Sequence, residues 1–236
     1  MKSAAGSGLR DFYSESKRNR DKEECSLKRY LKKNAIPIIW EGIFIVSCFL
    51  IPGQYYLYTN FVFYLGIVIY FLCIKEISFK KWRENITSGK AFWKPVGITA
   101  LCLIFAFVFT GVLESVFSNF ATGTIGLVRD TWGKLFLFAV STIILPPLAE
   151  EMFYRSSMIC MESKKTTYLT LVFSMLLYAL EHDLKPFGIL LTMIWALPFS
   201  VSYIKTKNIY IPMTAHFLVN LTGNGADVII TAINWL

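Results

Sequence analysis

Glu150-Glu151-Met152-Phe153-Tyr154-Arg155 places three ionisable groups inside a long apolar stretch of a 236-residue chain. Charge within a membrane-length helix is costly and tends to mark a working site. Glu151 and Arg155 lie four residues apart with the acid N-terminal, the favourable order for a helical ion pair. The pair gives the arginine a counter-charge in a low-dielectric region. Glu150 points about 100° away around the helix, free to face a cavity and act as a general base. Any histidine chemistry must use His182 and His216, the only two in the chain. Tyr178 and His182 share one helical face by their spacing of four, and so do His216 and Asn220.

The elements that must position these groups follow from composition. The chain is 55% hydrophobic and only 17% charged, with a mean hydropathy of +0.50. That balance predicts an all-α, polytopic membrane helix bundle, and no short alternating segments suggest a β-barrel. About eight spans are expected, near residues 35–51, 56–74, 95–117, 134–161, 167–182, 186–204, 208–221 and 226–236, each near or below the ~20 residues that cross a bilayer. Pro146-Pro147 should bend the fourth span and expose carbonyls beside the acidic pair, which suggests a hydrated pocket. Measured back from the loop near 163–166, Glu150 and His182 reach similar depths of ~20 and ~24 Å on antiparallel neighbours, whereas His216, ~14 Å from Lys207, is expected somewhat nearer the cytoplasm, a gap that helix tilts could close.

Twenty-one of the 24 basic residues fall on one side if the N-terminus is cytoplasmic; Arg129, Lys134 and Lys185 remain outside. Residues 1–34 form a basic cytoplasmic tail in which acids dilute attraction to anionic lipid. No apolar h-region precedes Ile36, so no cleavable signal peptide is expected. Residues 35–236 read as one membrane-embedded domain. Trp82 and Trp93 in a basic, aromatic loop, with Trp40, Tyr55, Tyr56 and Trp132, are expected as interfacial anchors. Glu41 and Glu114 are expected near span ends, interfacial or cavity-facing, without a catalytic role. No nucleic-acid-binding module is present, so the basic balance reflects topology. The five cysteines form no CxxC and point to neither a disulfide framework nor a thiolate zinc site.

At these residues the chain resembles the CAAX protease and bacteriocin-processing family of intramembrane proteases. The family pattern EExxxR, FxxxH, HxxxN/D is matched by Glu150-Glu151 to Arg155, by Tyr178 to His182 with tyrosine in the phenylalanine position, and by His216 to Asn220. The resemblance covers roughly residues 134–222. It implies an intramembrane endopeptidase in which Glu150 and His182 activate water, His216 and Asn220 donate to the oxyanion, and Glu151, Arg155 and Tyr178 support them. The implied substrate is a membrane-associated or lipidated peptide: a CaaX tail, a bacteriocin leader or a pheromone precursor. Short loops suggest a bacterial plasma membrane. No cofactor is favoured; zinc, if used, would have only Glu150, His182 and His216, a minimal ligand set. The alternatives are a non-catalytic membrane scaffold of the same fold and, less favoured, a proton-coupled transporter, which usually shows paired broken repeats.

Overall fold

A computed structural model of the chain describes residues 30–236. Most of the basic N-terminal tail lies outside the described residues, as does Cys25. Residues 30–34, assigned to that tail from sequence, are already helical, and Asn34 Nδ2 donates to the Tyr30 carbonyl over 2.9 Å. Residues 39–236 form one compact unit.

Eight helices make up the described chain: α1 Tyr30–Leu50, α2 Tyr56–Cys73, α3 Phe79–Ile86, α4 Lys90–Val116, α5 Trp132–Ser157, α6 Lys164–His182, α7 Pro186–Thr206 and α8 Tyr210–Ile233. Among them α1, Gly53–Cys73, α4, α5 and α7 are long and apolar enough to cross a membrane. Helices α6 and α8, with 19 and 24 residues, are comparable in length but carry much of the polar chemistry. The burial pattern is inverted relative to a water-soluble protein. Leu50, Phe105 and Phe136 are 70% or more exposed, whereas Arg155 and Glu151 are fully buried. Apolar lipid outside and polar groups satisfied inside explain that inversion.

Local sequence sets the helix ends. Ser78, Thr131 and Ser163 each sit in extended backbone and accept from the N–H three residues on, capping α3, α5 and α6. Pro186 opens α7, and Lys207, at φ 51°, closes it in the left-handed region. Asn208 then accepts from the Tyr210 N–H and starts α8.

The structure corrects the sequence reading in four places. The segment carrying Trp82 is a helix, α3, rather than a loop, and the Trp82 indole donates to Thr214 Oγ1 on α8 over 2.7 Å. Asn208 joins Asn85 beside it at 2.6 Å. Trp40 also lies inside the bundle, donating to the Phe63 carbonyl over 3.0 Å. Gly66 makes room for it, since a Cβ there would meet Trp40 Nε1 at 2.6 Å. Third, the two expected C-terminal spans are one helix, because Gly223-Asn224-Gly225 continues α8 without a break. Fourth, Glu41 is not at a span end. It lies near the middle of α1, 1% exposed, close to Glu181 and the Tyr154 hydroxyl.

Helix α5 packs on α2 and α8; α7 packs on α6 and α4; and α4 also packs along α8. The loop 117–131 crosses the end of α6. Ile125 N–H donates to the His182 carbonyl and Leu184 N–H to the Gly123 carbonyl. Asp183 accepts from Gly123 N–H and Thr124 Oγ1. Gly188 is required under this latch, since a Cβ there would run into the Asp183 carboxylate.

Candidate active site

The bend expected at Pro146-Pro147 takes a specific form. Residues Val140–Ile144 are wound as a π-helix, and a second π segment covers Glu151–Ser157. Such bulges recur at functional sites. The Thr142 carbonyl would bond residue 146 in an α-helix or residue 147 in a π-helix, and both are prolines without an N–H. It is rescued from α8: Asn220 Nδ2 donates to it over 2.9 Å and Asn224 Nδ2 over 3.1 Å. One amide hydrogen of Asn220 is therefore committed to holding the bend. The second bulge leaves the Tyr154 carbonyl to Ser174 of α6, whose hydroxyl donates to it over 2.5 Å.

These two bulges aim the glutamates apart. Glu151 faces the interior, where Oε1 lies 3.1 Å from His216 Nδ1 and 3.5 Å from Arg155 Nη1. Arg155 also reaches the Ala196 carbonyl at 3.4 Å. Its guanidinium carbon sits 4.5 Å from the Tyr178 ring centre and 4.8 Å from that of Phe199. These aromatic faces and the carboxylate compensate a cation removed from water. Tyr178 thus stacks on Arg155 and, at 4.5 Å, on the His182 ring.

Glu150 faces a cavity of about 470 Å³, which His182, His216, Asn220 and Tyr178 also line. Tyr64 of α2 donates to Glu150 Oε1 over 2.7 Å, leaving Oε2 buried with no hydrogen-bond partner. His216 Nε2 is 3.9 Å from that oxygen. The depth difference expected between His216 and Glu150 is therefore closed by the packing of α8 on α5. His182 Nδ1 lies 3.0 Å from the Tyr178 carbonyl. A carbonyl can only accept, so Nδ1 carries the proton and Nε2 keeps its lone pair.

Glu181, absent from the sequence reading, belongs to the same group. It lines the cavity and is 2% exposed. A carboxylate oxygen of Glu150, one of Glu181 and a ring nitrogen of His182 all lie within 4.8 Å of one another. Tyr154 donates to Glu181 Oε2 over 2.6 Å, and Oε1 is left buried without a partner. The logic that singled out Glu150, an acid inside an apolar helix, applied equally to Glu181. Tyr64 had no such signal, being one of 12 tyrosines in a chain rich in aromatics. Glu114 is exposed, with Thr122 Oγ1 3.5 Å away, and lies outside the cavity lining.

This arrangement offers a buried base with a free oxygen, two imidazoles and an amide around one hollow, which is what hydrolysis of a desolvated peptide bond requires. No curated protein and no solved structure matches the chain. The family model for Rce1-like type II CAAX prenyl endopeptidases matches residues 132–222. That segment begins at α5 and ends in α8, and it holds both bulges, both histidines and Glu150, Glu181 and Asp183, the carboxyl groups that line the cavity. Over that segment the chain is similar to the CAAX protease family, and five of its described helices are long and apolar enough to cross a membrane.

Proposed function

We propose that the chain hydrolyses an internal peptide bond of a membrane-associated or lipidated peptide, with Glu150 as the general base. The observation that carries this reading is the free Oε2 of Glu150, buried in the cavity beside the His182 ring and 3.9 Å from His216 Nε2. Water donates to Glu150 and to the lone pair on His182 Nε2. Its oxygen attacks the scissile carbonyl, and its proton passes to Glu150. His216 and the second N–H of Asn220 donate to the oxyanion. For His216 to donate from Nε2 while Nδ1–H points at Glu151, both ring nitrogens carry protons. Collapse restores the carbonyl, breaks the C–N bond and leaves the electron pair on nitrogen, which takes the proton back from Glu150. Glu151 and Arg155 hold the helix and His216 in place.

The mechanism is taken as metal-free. A divalent cation would find its nearest donors in Glu150, Glu181 and His182, a set that differs from the sequence-derived one by Glu181 in place of His216. The two orphaned carboxylate oxygens suit such an ion, and it would supply Lewis-acid activation of water. Loss of activity to a strong chelator with recovery on zinc addition would replace the metal-free reading.

The substrate class favoured is a bacterial peptide in maturation or self-immunity, a bacteriocin leader or a pheromone precursor, ahead of a prenylated CaaX tail. The short connections between helices support a bacterial plasma membrane, and the excess of basic residues in alternate connections supports a cytoplasmic N-terminus. The test is mass spectrometry of membrane peptides from cells carrying the wild-type chain or Glu150→Gln. Wild-type-specific cleavage products support hydrolysis, whereas identical peptide sets and phenotypes mean a scaffold.

A further inference from the structure

The hydrolytic mechanism leaves Glu181 without work, although its carboxyl group is built into the site with care. Glu150 and Glu181 are held alike. Each has one oxygen on a tyrosine hydroxyl, Tyr64 for Glu150 and Tyr154 for Glu181, and each leaves the other oxygen buried and unpartnered. Both line the same cavity. A buried acceptor without a donor is unfavourable, so such an atom in a substrate cavity calls for a donor supplied by the ligand.

A peptide bond undergoing hydrolysis brings four polar demands. The carbonyl needs donors, met by His216 and Asn220. The two water hydrogens need acceptors, met by Glu150 and His182. The scissile N–H also needs an acceptor; Glu181 Oε1, Asn60 Oδ1 and Ser141 Oγ are all unpartnered in the cavity lining, and of these residues Glu181 is the one whose carboxylate is grouped with the water-activating Glu150 and His182. From this we infer that Glu181 accepts the N–H of the scissile bond and then holds the departing amine. The inference rests on the hydrolytic reading and adds a substrate contact to it. A carboxylate oxygen of Glu181 lies within 4.8 Å of one of Glu150. Two acceptors of a single small group stand about 4–5 Å apart when each bond is about 2.8 Å long. The same nitrogen can therefore hold its N–H on Glu181 while its new lone pair faces the proton on Glu150. Glu181 exchanges no net proton; Glu150 takes the water proton and returns it to nitrogen.

An ester in place of the scissile amide separates this role from a structural one, because it has no N–H and leaves as an alcohol. The probes are a fluorogenic peptide spanning a wild-type-specific cleavage site from the membrane-peptide comparison and its analogue with an ester at the scissile bond, presented in detergent micelles. Glu181→Gln is nearly isosteric and keeps an oxygen for Tyr154, but turns an NH2 group toward the substrate. It should lower amide kcat about 100-fold with a small change in KM, and leave ester kcat within about threefold. Glu150→Gln should abolish both activities. Loss of both activities in Glu181→Gln, with a lowered unfolding midpoint, would assign Glu181 to packing, and full amide activity would remove it from the reaction; either overturns the inference and leaves the function standing. Full activity of Glu150→Gln, or no cleavage of either probe by the wild-type chain, refutes the hydrolytic reading for this substrate class and the inference with it.

Discussion

Replacing Glu151 by Gln tests the buried clasp that holds the site. Arg155 is fully buried, and its charge partner is Glu151 Oε1 at 3.5 Å. At that distance and an effective dielectric of about 20, the lost attraction is about 5 kcal/mol. Glutamine still accepts from His216 Nδ1, and the Tyr178 and Phe199 faces still offer about 0.5–2 kcal/mol each to the guanidinium. The net destabilisation should be about 3 kcal/mol, the scale of a buried pair broken by removing one partner. Arg155→Met should cost less, since Glu151 keeps His216 at 3.1 Å and methionine fills much of the space. The double variant Glu151→Gln/Arg155→Met should be more stable than Glu151→Gln alone, because the orphaned cation is gone. The assay is the unfolding midpoint of purified protein in one detergent for the wild type, both single variants and the double. If Glu151→Gln matches the wild type, or the double variant equals the sum of the singles, the clasp is not an ion pair of consequence and the reasoning fails.

Asn220→Ala and Asn224→Ala should each destabilise by about 1 kcal/mol, and together by more than the sum, because only the pair leaves the Thr142 carbonyl orphaned. Asn220→Ala alone should also lower kcat about 100-fold, which separates its oxyanion role from its structural one when kinetics and unfolding are measured on the same samples. Tyr64→Phe removes the hydroxyl on Glu150 and should lower kcat at least about tenfold with the fold intact by circular dichroism, since a hydrogen bond to a charged group is worth about 1.5–3 kcal/mol. Gly188→Ala pushes a Cβ into the Asp183 carboxylate and should cost about 1–3 kcal/mol. Limited proteolysis read by mass spectrometry should then show faster cutting within 117–131, because Asp183 can no longer hold Gly123 and Thr124.

The site has the character of a polar core turned into a reaction vessel. Its walls come from helices far apart in sequence, and the two π segments in α5 do what a regular helix cannot. Each releases a carbonyl that a neighbouring helix captures, so the bend and the inter-helix contact are one feature. Asn220 shows the consequence. It cannot be placed in the chemistry without also being placed in the scaffold, and its substitution is readable only with both measurements.

Composition and charge alone determined that this chain is an all-α membrane bundle, because only helices satisfy their backbone in lipid and few other compositions look like this one. Spacing along single helices placed Glu151 opposite Arg155 and separated it from Glu150, since those relations follow from helical geometry over one turn. Motif order named Glu150, His182, His216 and Asn220, the residues now found lining one cavity. What tertiary structure alone decided were relations between helices. Residues 208–221 and 226–236 were expected as two spans, but α8 runs through the gap between them, where Asn224 bonds the Thr142 carbonyl of α5. Glu41 and Trp40 looked like end groups, yet α2 and the rest of the interior hold them inside the bundle. Glu181 looked like the neighbour of a histidine until the hydroxyl of Tyr154 and the cavity gave its two oxygens different surroundings. A sequence fixes which way a side chain leaves its own helix, and only packing determines what it meets there.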